Sequence, residues 1–233
     1  MPSPILDTVL LFSLPASGKS ETRTYMASLT PEQCVKDMAM GPTLQLDDYP
    51  YVHFMHRIDD ELMANGHPYL FYKGPNRPFQ DDWTWATLIE LLNEDYDDLR
   101  KGRQHAPASA AQLLFDRIDA ARVKGQQLPV MGEIPYRIRM KVAEAMEAEC
   151  REDLEARNRQ AALGTEGRTI VIEAARGGAN GSAFPIIPPH GYWSAFQQLS
   201  PQILERAAVL YIWVDPCESR RKNIARGLPD GQG

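Results

Sequence analysis

Cysteine is scarce in this chain. Cys34, Cys150 and Cys217 are scattered, odd in number and form no C-x-x-C pair. That excludes a disulfide framework and points to a reducing compartment, the cytoplasm. Long apolar runs are lacking as well. The N-terminal apolar stretch is short, has no basic flank and contains Asp7, so it reads as neither signal peptide nor membrane span. Basic excess is missing too. The net charge of −6 argues against broad electrostatic binding to nucleic acid. No internal repeat or low-complexity tract interrupts the 233 residues, enough for one large domain or one domain with an insertion.

What is present is organised around residues 8–25, TVLLFSLPASGKSETRTY. The apolar run Val9 to Phe12, then Leu14, predicts a buried strand. After it come Pro15, Ala16, Ser17, Gly18, Lys19 and Ser20, then a polar segment from Glu21 that continues as a helix. Strand, Gly-containing turn, Lys, hydroxyl and helix is the Walker A order. Small residues let successive backbone N–H groups converge on phosphate oxygens at a helix N-terminus, where the dipole favours anions. Residues 15–21 are therefore the candidate nucleotide-binding stretch. Lys19 carries the charge for the β- and γ-phosphates of ATP, and Ser20 the hydroxyl for Mg²⁺. Ser13 stands where the pattern has its first Gly, a position at which Gly eases the exit from the strand. The bland alternative is a strand-to-helix turn with an exposed Lys.

Further along, Thr30-Pro31-Glu32 predicts a capped helix to about Met40, ended by Gly41-Pro42. Thr43 to Leu46 reads as the second strand and delivers Asp47, Asp48, Tyr49 and Pro50 at its carboxyl end. Ligands sit at such ends in open α/β sheets, so the acid pair is expected to face the phosphate loop. A helix over 52–64 follows. Residues 65–167 change character, with a Gly- and Pro-rich loop carrying aromatics and then helices near 83–99, after Pro107, and over 136–163. Arg168 to Glu173 is the third strand, continuing into Ala174-Ala175-Arg176. A helix near 192–206, open to a break at Ser200-Pro201, leads to a fourth strand over 209–214. The prediction is thus a three-layer α/β P-loop fold with a mainly parallel sheet. Its core halves are 1–64 and 168–233, and a helical insertion spans 65–167.

These pieces resemble the P-loop kinases of small molecules and nucleic-acid ends, over roughly the first sixty and last sixty-five residues. SLPASGKS is similar to the GLPGSGKS form of their phosphate loop. LDDYP resembles the strand-end acid pair that removes a proton from the acceptor hydroxyl. VDPCESRRKNIAR looks like the entry to their mobile LID. The resemblance implies Asp48 or Asp47 as the base, with Asp48 preferred and Asp47 left for metal-bound water. It implies Arg220, Arg221 and Arg226 as cations that close over the phosphates. It also implies a fifth strand after the LID, and the sequence ends before one.

Several residues carry more than one reading. Glu173 fits a water-mediated Mg²⁺ ligand, an acceptor clamp with Arg176, or a salt-bridged strand end. The arginine run fits phosphate contact or a solvated helix face. His53 and His56, three apart, fit a metal face less well than a plain amphipathic helix. Tyr69, Phe71, Tyr72, Trp83 and Trp85 fit core packing better than base stacking. The expected activity is ATP- and Mg²⁺-dependent phosphorylation of a hydroxyl on a small molecule, with no nucleic-acid or membrane partner. The rivals are a nucleotide-binding regulatory protein without efficient transfer, and a polynucleotide 5′-hydroxyl kinase.

Overall fold

The computed structural model describes residues 5–14, 16–75, 77–178, 182–183 and 185–226. The strands are β1 (Thr8–Ser13), β2 (Thr43–Asp47), β3 (Thr169–Ala175) and β4 (Ala207–Ile212). The helices are α1 (Lys19–Ser28), α2 (Pro31–Met38), α3 (Tyr49–Ala64), α4 (Thr84–Lys101), α5 (Ala110–Lys124), α6 (Tyr136–Ala162), α7 (Gly191–Gln198), α8 (Pro201–Leu204) and α9 (Pro216–Arg226). The chain divides into two units. The first holds residues 1–47, 165–196 and 200–233, and the second 48–164 and 197–199. The segment α3, placed with the core half 1–64 by sequence, groups with the helical unit.

In the first unit all strand pairs are parallel, in the order β2-β3-β1-β4. Strands β1 and β3 are apolar on both faces because both faces are covered. Val9, Leu11 and Val171 form a buried cluster with Met26 of α1 and Met40, and Met38 of α2 packs against it. On the opposite face Phe12 stacks on Tyr192 of α7 at 4.5 Å and meets Phe196 edge-on at 5.3 Å. Helices on both faces make three layers. The topology agrees: β1 to β2 passes β3 toward one edge, β3 to β4 passes β1 toward the other, and right-handed crossovers then place their helices on opposite faces. Adjacent strands whose connections leave in opposite directions define a switch point, and here they are β1 and β3.

Sequence-level boundaries shift where pairing or capping decides. Strand β3 runs on to Ala175 because it pairs with β1 through Ser13↔Ala175. Strand β4 starts at Ala207 rather than Val209, in register with Thr8 of β1. The break at Ser200-Pro201 does occur, and Ser200 caps α8 by accepting from the Ile203 N–H. Helix α3 begins at Tyr49, with Pro50 in its first turn, where a missing N–H costs nothing.

The second unit is helical. Its core gathers Tyr51, Met55, Ile58, Phe71, Leu88, Phe115, Met146 and Leu154. Three carboxylates pin its loops. Asp59, fully buried, accepts from the N–H groups of Leu70, Phe71 and Tyr72. Asp119 accepts from Val130, Met131 and Gly132. Glu147 of α6 accepts from Ala110 and Ala111 at the start of α5 and from the Ser109 hydroxyl. Deeper in, Asp95 receives Arg117 Nη2 at 2.6 Å and Arg157 Nη1 at 3.2 Å. Burial alone would push the Asp95 carboxyl up, but those two guanidiniums hold it below its ordinary value.

Candidate functional site

The stretch after β1 turns sharply. Ala16 takes φ +54°, and Gly18, the cap of α1, takes φ +98°. Left-handed backbone is costly for an L-residue such as Ala16, and strain of this kind gathers at ligand clamps. Gly18 suits its position because it has no Cβ. No side chain caps α1. Among the described residues, nothing accepts from the amides of Ala16, Ser17 or Gly18. The Ser17 hydroxyl oxygen is also shielded from water and meets no partner. Adjacent donors left unclaimed in a left-handed turn at a helix N-terminus form an anion-binding concavity. Glu21 is exposed in the first turn of α1, where the dipole favours an acid. Pro15 and the Ser20 side chain lie outside the described residues.

Lys19 opens α1, and its Nζ donates to Ser13 Oγ at 3.3 Å. Ser13 is fully buried at the end of β1. Its hydroxyl donates in turn to the Leu14 carbonyl at 3.0 Å. A residue that sequence reasoning missed completes this end of the sheet. The Ser13 N–H donates to Tyr192 Oη at 2.6 Å, and the Arg176 N–H approaches the same oxygen at 3.4 Å. The phenol reaches the carbonyls of Ser13 and Ala174, the latter at 3.0 Å. Burial pushes its pKa up to about 12. The only signal in the sequence is an aromatic residue opening a helix after a Gly- and Pro-rich loop, and 179 positions separate it from Ser13.

Strand register assembles the two metal candidates. Asp47 ends β2 opposite Glu173 of β3, and Glu173 is also opposite Leu11 of β1. Register partners project from the same face, so both carboxylates share the face of Leu11, which α1 covers. Glu173 and Arg176 are each 3% exposed. Two acids on adjacent strand ends are a hard oxygen set that suits Mg²⁺. Asp48 is buried and occupies the cap position of α3 without bonding to that helix's amides through its side chain. It opens the helical unit.

The arginines of α9 read as a solvated helix face. Arg220 is exposed, and Arg221 forks onto Glu218, both bonds at 2.8 Å. That pairing raises the Arg221 pKa and lowers that of Glu218. Asp215 caps α9 by accepting from the Cys217 N–H. The Arg226 side chain lies outside the described residues.

The histidine pair serves packing. His53 pairs with Glu149 across to α6, and His56 stacks on Tyr72 at 3.6 Å. No group of three or more His, Cys, Asp or Glu able to hold a metal occurs among the described residues. Phe71, Tyr72 and Phe79 are buried in the helical core, with Trp85 packed against it. A cavity of about 380 Å³ in the first unit lies away from the phosphate stretch, lined by Met26, Cys34, Met38, Met40 and Thr43 among others. In the helical unit, a groove of about 320 Å³ is lined by Tyr49, Pro50, His53, Phe54, Glu149 and Glu152 among others. No described helix is long and apolar enough to cross a membrane. Comparisons with protein-family models, with curated proteins and with solved structures find no match to this chain.

Proposed function

We propose that this chain is a P-loop phosphotransferase that uses ATP with Mg²⁺ to phosphorylate a hydroxyl of a small molecule. One observation carries the reading. At the switch point of a parallel sheet, beside Lys19, the amides of Ala16 to Gly18 and the Ser17 hydroxyl meet no acceptor among the described residues. An anion with several oxygens can accept from adjacent amides at once, and a triphosphate tail is such an anion. Residues 15–21 then hold the phosphates, with Lys19 neutralising the charge that develops during transfer. Ser20, Asp47 and Glu173 hold the metal, directly or through water. Asp48 orients the acceptor hydroxyl and takes its proton. Arg220, and Arg221 once freed from Glu218, add positive charge. The three free cysteines suit a cytoplasmic setting.

The regulatory alternative gains one point of support. Lys19 is bonded to the Ser13 hydroxyl, which a Gly at that position would lack. Transfer of labelled γ-phosphate to a panel of sugars, nucleosides and amino alcohols decides between the readings. Wild type should label an acceptor, and Asp48→Asn should lower that rate by about 10²–10⁴-fold, the range of a lost general base. Tight ATP binding with no labelled acceptor would favour the regulatory protein. Transfer by Asp48→Asn at the wild-type rate would remove Asp48 from the chemistry.

A further inference from the structure

We propose that Tyr192 and Ser13 form a positioning relay that sets the Lys19 ammonium for nucleotide binding. The inference rests on the phosphate-loop reading above and concerns two residues that reading does not use.

The geometry runs in three links. The ladder between β1 and β3 ends at Ser13↔Ala175, and from there the two chains leave for different loops. A pair of strand ends at this point has no further ladder bond to hold its spacing. Tyr192 supplies one with a side chain. Its oxygen accepts from Ser13 N–H at 2.6 Å and its single proton serves the carbonyl of Ser13 or of Ala174. The phenol cannot drift, because its ring is stacked on Phe12 at 4.5 Å and meets Tyr211 edge-on at 6.0 Å. The proton stays on the phenol at neutral pH, with a pKa of about 12.

Ser13 is the second link. With its amide held by Tyr192, its side-chain direction is set by its own backbone. Its hydroxyl donates to the Leu14 carbonyl, which turns an oxygen lone pair toward the third link, Lys19 Nζ at 3.3 Å. A free lysine stem carries rotamer entropy that is lost when its end is fixed on a ligand. Holding its end near the turn before ligand arrives lowers the ordering cost of binding. An ammonium has three donors, so the bond to Ser13 occupies only one of them. On this account Ser13 is a working part of the loop and not a weakened glycine position.

The test is equilibrium titration of MgATP against Ser13→Ala, Tyr192→Phe, Lys19→Met and the two double variants with Lys19→Met. Phe196→Leu, which loosens α7 against Phe12 without touching the phenol, controls for packing, and thermal unfolding is recorded for each. Ser13→Ala and Tyr192→Phe should each weaken MgATP about three- to tenfold, the effect of one lost hydrogen bond. Phe196→Leu should lower the melting temperature while affinity stays within about twofold of wild type. In the Lys19→Met background both losses should vanish, because the relay acts only through that lysine. Unchanged affinity in Ser13→Ala and Tyr192→Phe overturns the relay while leaving the nucleotide reading standing. So does an equal loss in Phe196→Leu, or full losses retained beside Lys19→Met. If Lys19→Met binds too weakly to titrate, the comparison with Phe196→Leu decides. A wild-type protein that binds no MgATP removes both readings together.

Discussion

The loops of the helical unit and the turn after β1 in the sheet unit treat runs of adjacent backbone amides differently. In the helical unit three such runs end on a carboxylate. Asp59 collects three amides, Asp119 three, and Glu147 two amides and a hydroxyl. In the sheet unit the amides of residues 16–18 meet no acceptor among the described residues, although the turn around them is strained. Protein interiors rarely leave backbone donors unmet. The difference teaches how to tell a structural anion from a missing one. Where the chain needs a negative charge for its own fold, it supplies an Asp or Glu. Where a left-handed turn gathers such donors and no carboxylate meets them, as after β1, the charge is expected from a ligand.

Breaking the structural side of this contrast should have the larger effect. Asp59→Ala strips the acceptor from three amides at a fully buried position. Each orphaned donor costs about 1–3 kcal/mol, so a total of about 3–5 kcal/mol is expected. Urea unfolding measures it, and a loss below about 1 kcal/mol would mean the loop re-forms its bonds elsewhere. Glu147 sharpens the contrast through pH. Burial pushes its carboxyl up, but the Ala110 amide, the Ser109 hydroxyl, the Ala111 amide and Arg151 outweigh this and hold its pKa at about 2. A depressed folded-state pKa stabilises above the unfolded value near 4.5, and that stability is lost as pH falls toward 2. The side chain is 32% exposed, so screening trims the effect to about 1–2 kcal/mol. Wild type should therefore lose about that much more stability than Glu147→Gln between pH 5 and pH 2.5. Parallel losses in the two proteins would refute the assignment.

Much of the fold was legible because its signals are local. The β-branched run from Thr169 to Ile172, the Thr30-Pro31 cap and the Ser200-Pro201 break each act within one or two turns of chain. The start of α3 was misjudged because Asp48-Tyr49-Pro50 satisfies both a turn and a helix entry, and packing of Tyr51 into the helical core decides between them. The strand order and the switch point came only with the structure, since parallel pairing joins residues such as Thr8 and Ile170 that share no local pattern. The strand, turn and helix around residues 8–25 could be read from their residue types. What could not be read was the support beneath them. Tyr192 reaches Ser13 across most of the chain, and no spacing rule links them. The same holds for Asp47 and Glu173, whose partnership is a matter of register. The α9 arginines were read in two ways, and at Arg221 the pairing with Glu218 favours the solvated face.

The central claim is that the unclaimed donors after β1 receive a triphosphate whose charge Lys19 helps to neutralise. Calorimetric titration of MgATP into wild type and into Lys19→Met tests it most directly. The account predicts saturable one-to-one binding to wild type. Lys19→Met should fold as stably and bind about 10- to 100-fold more weakly, the range of a charge-assisted hydrogen bond. Equal affinities in the two proteins, or no heat of binding to wild type at any accessible concentration, would contradict it.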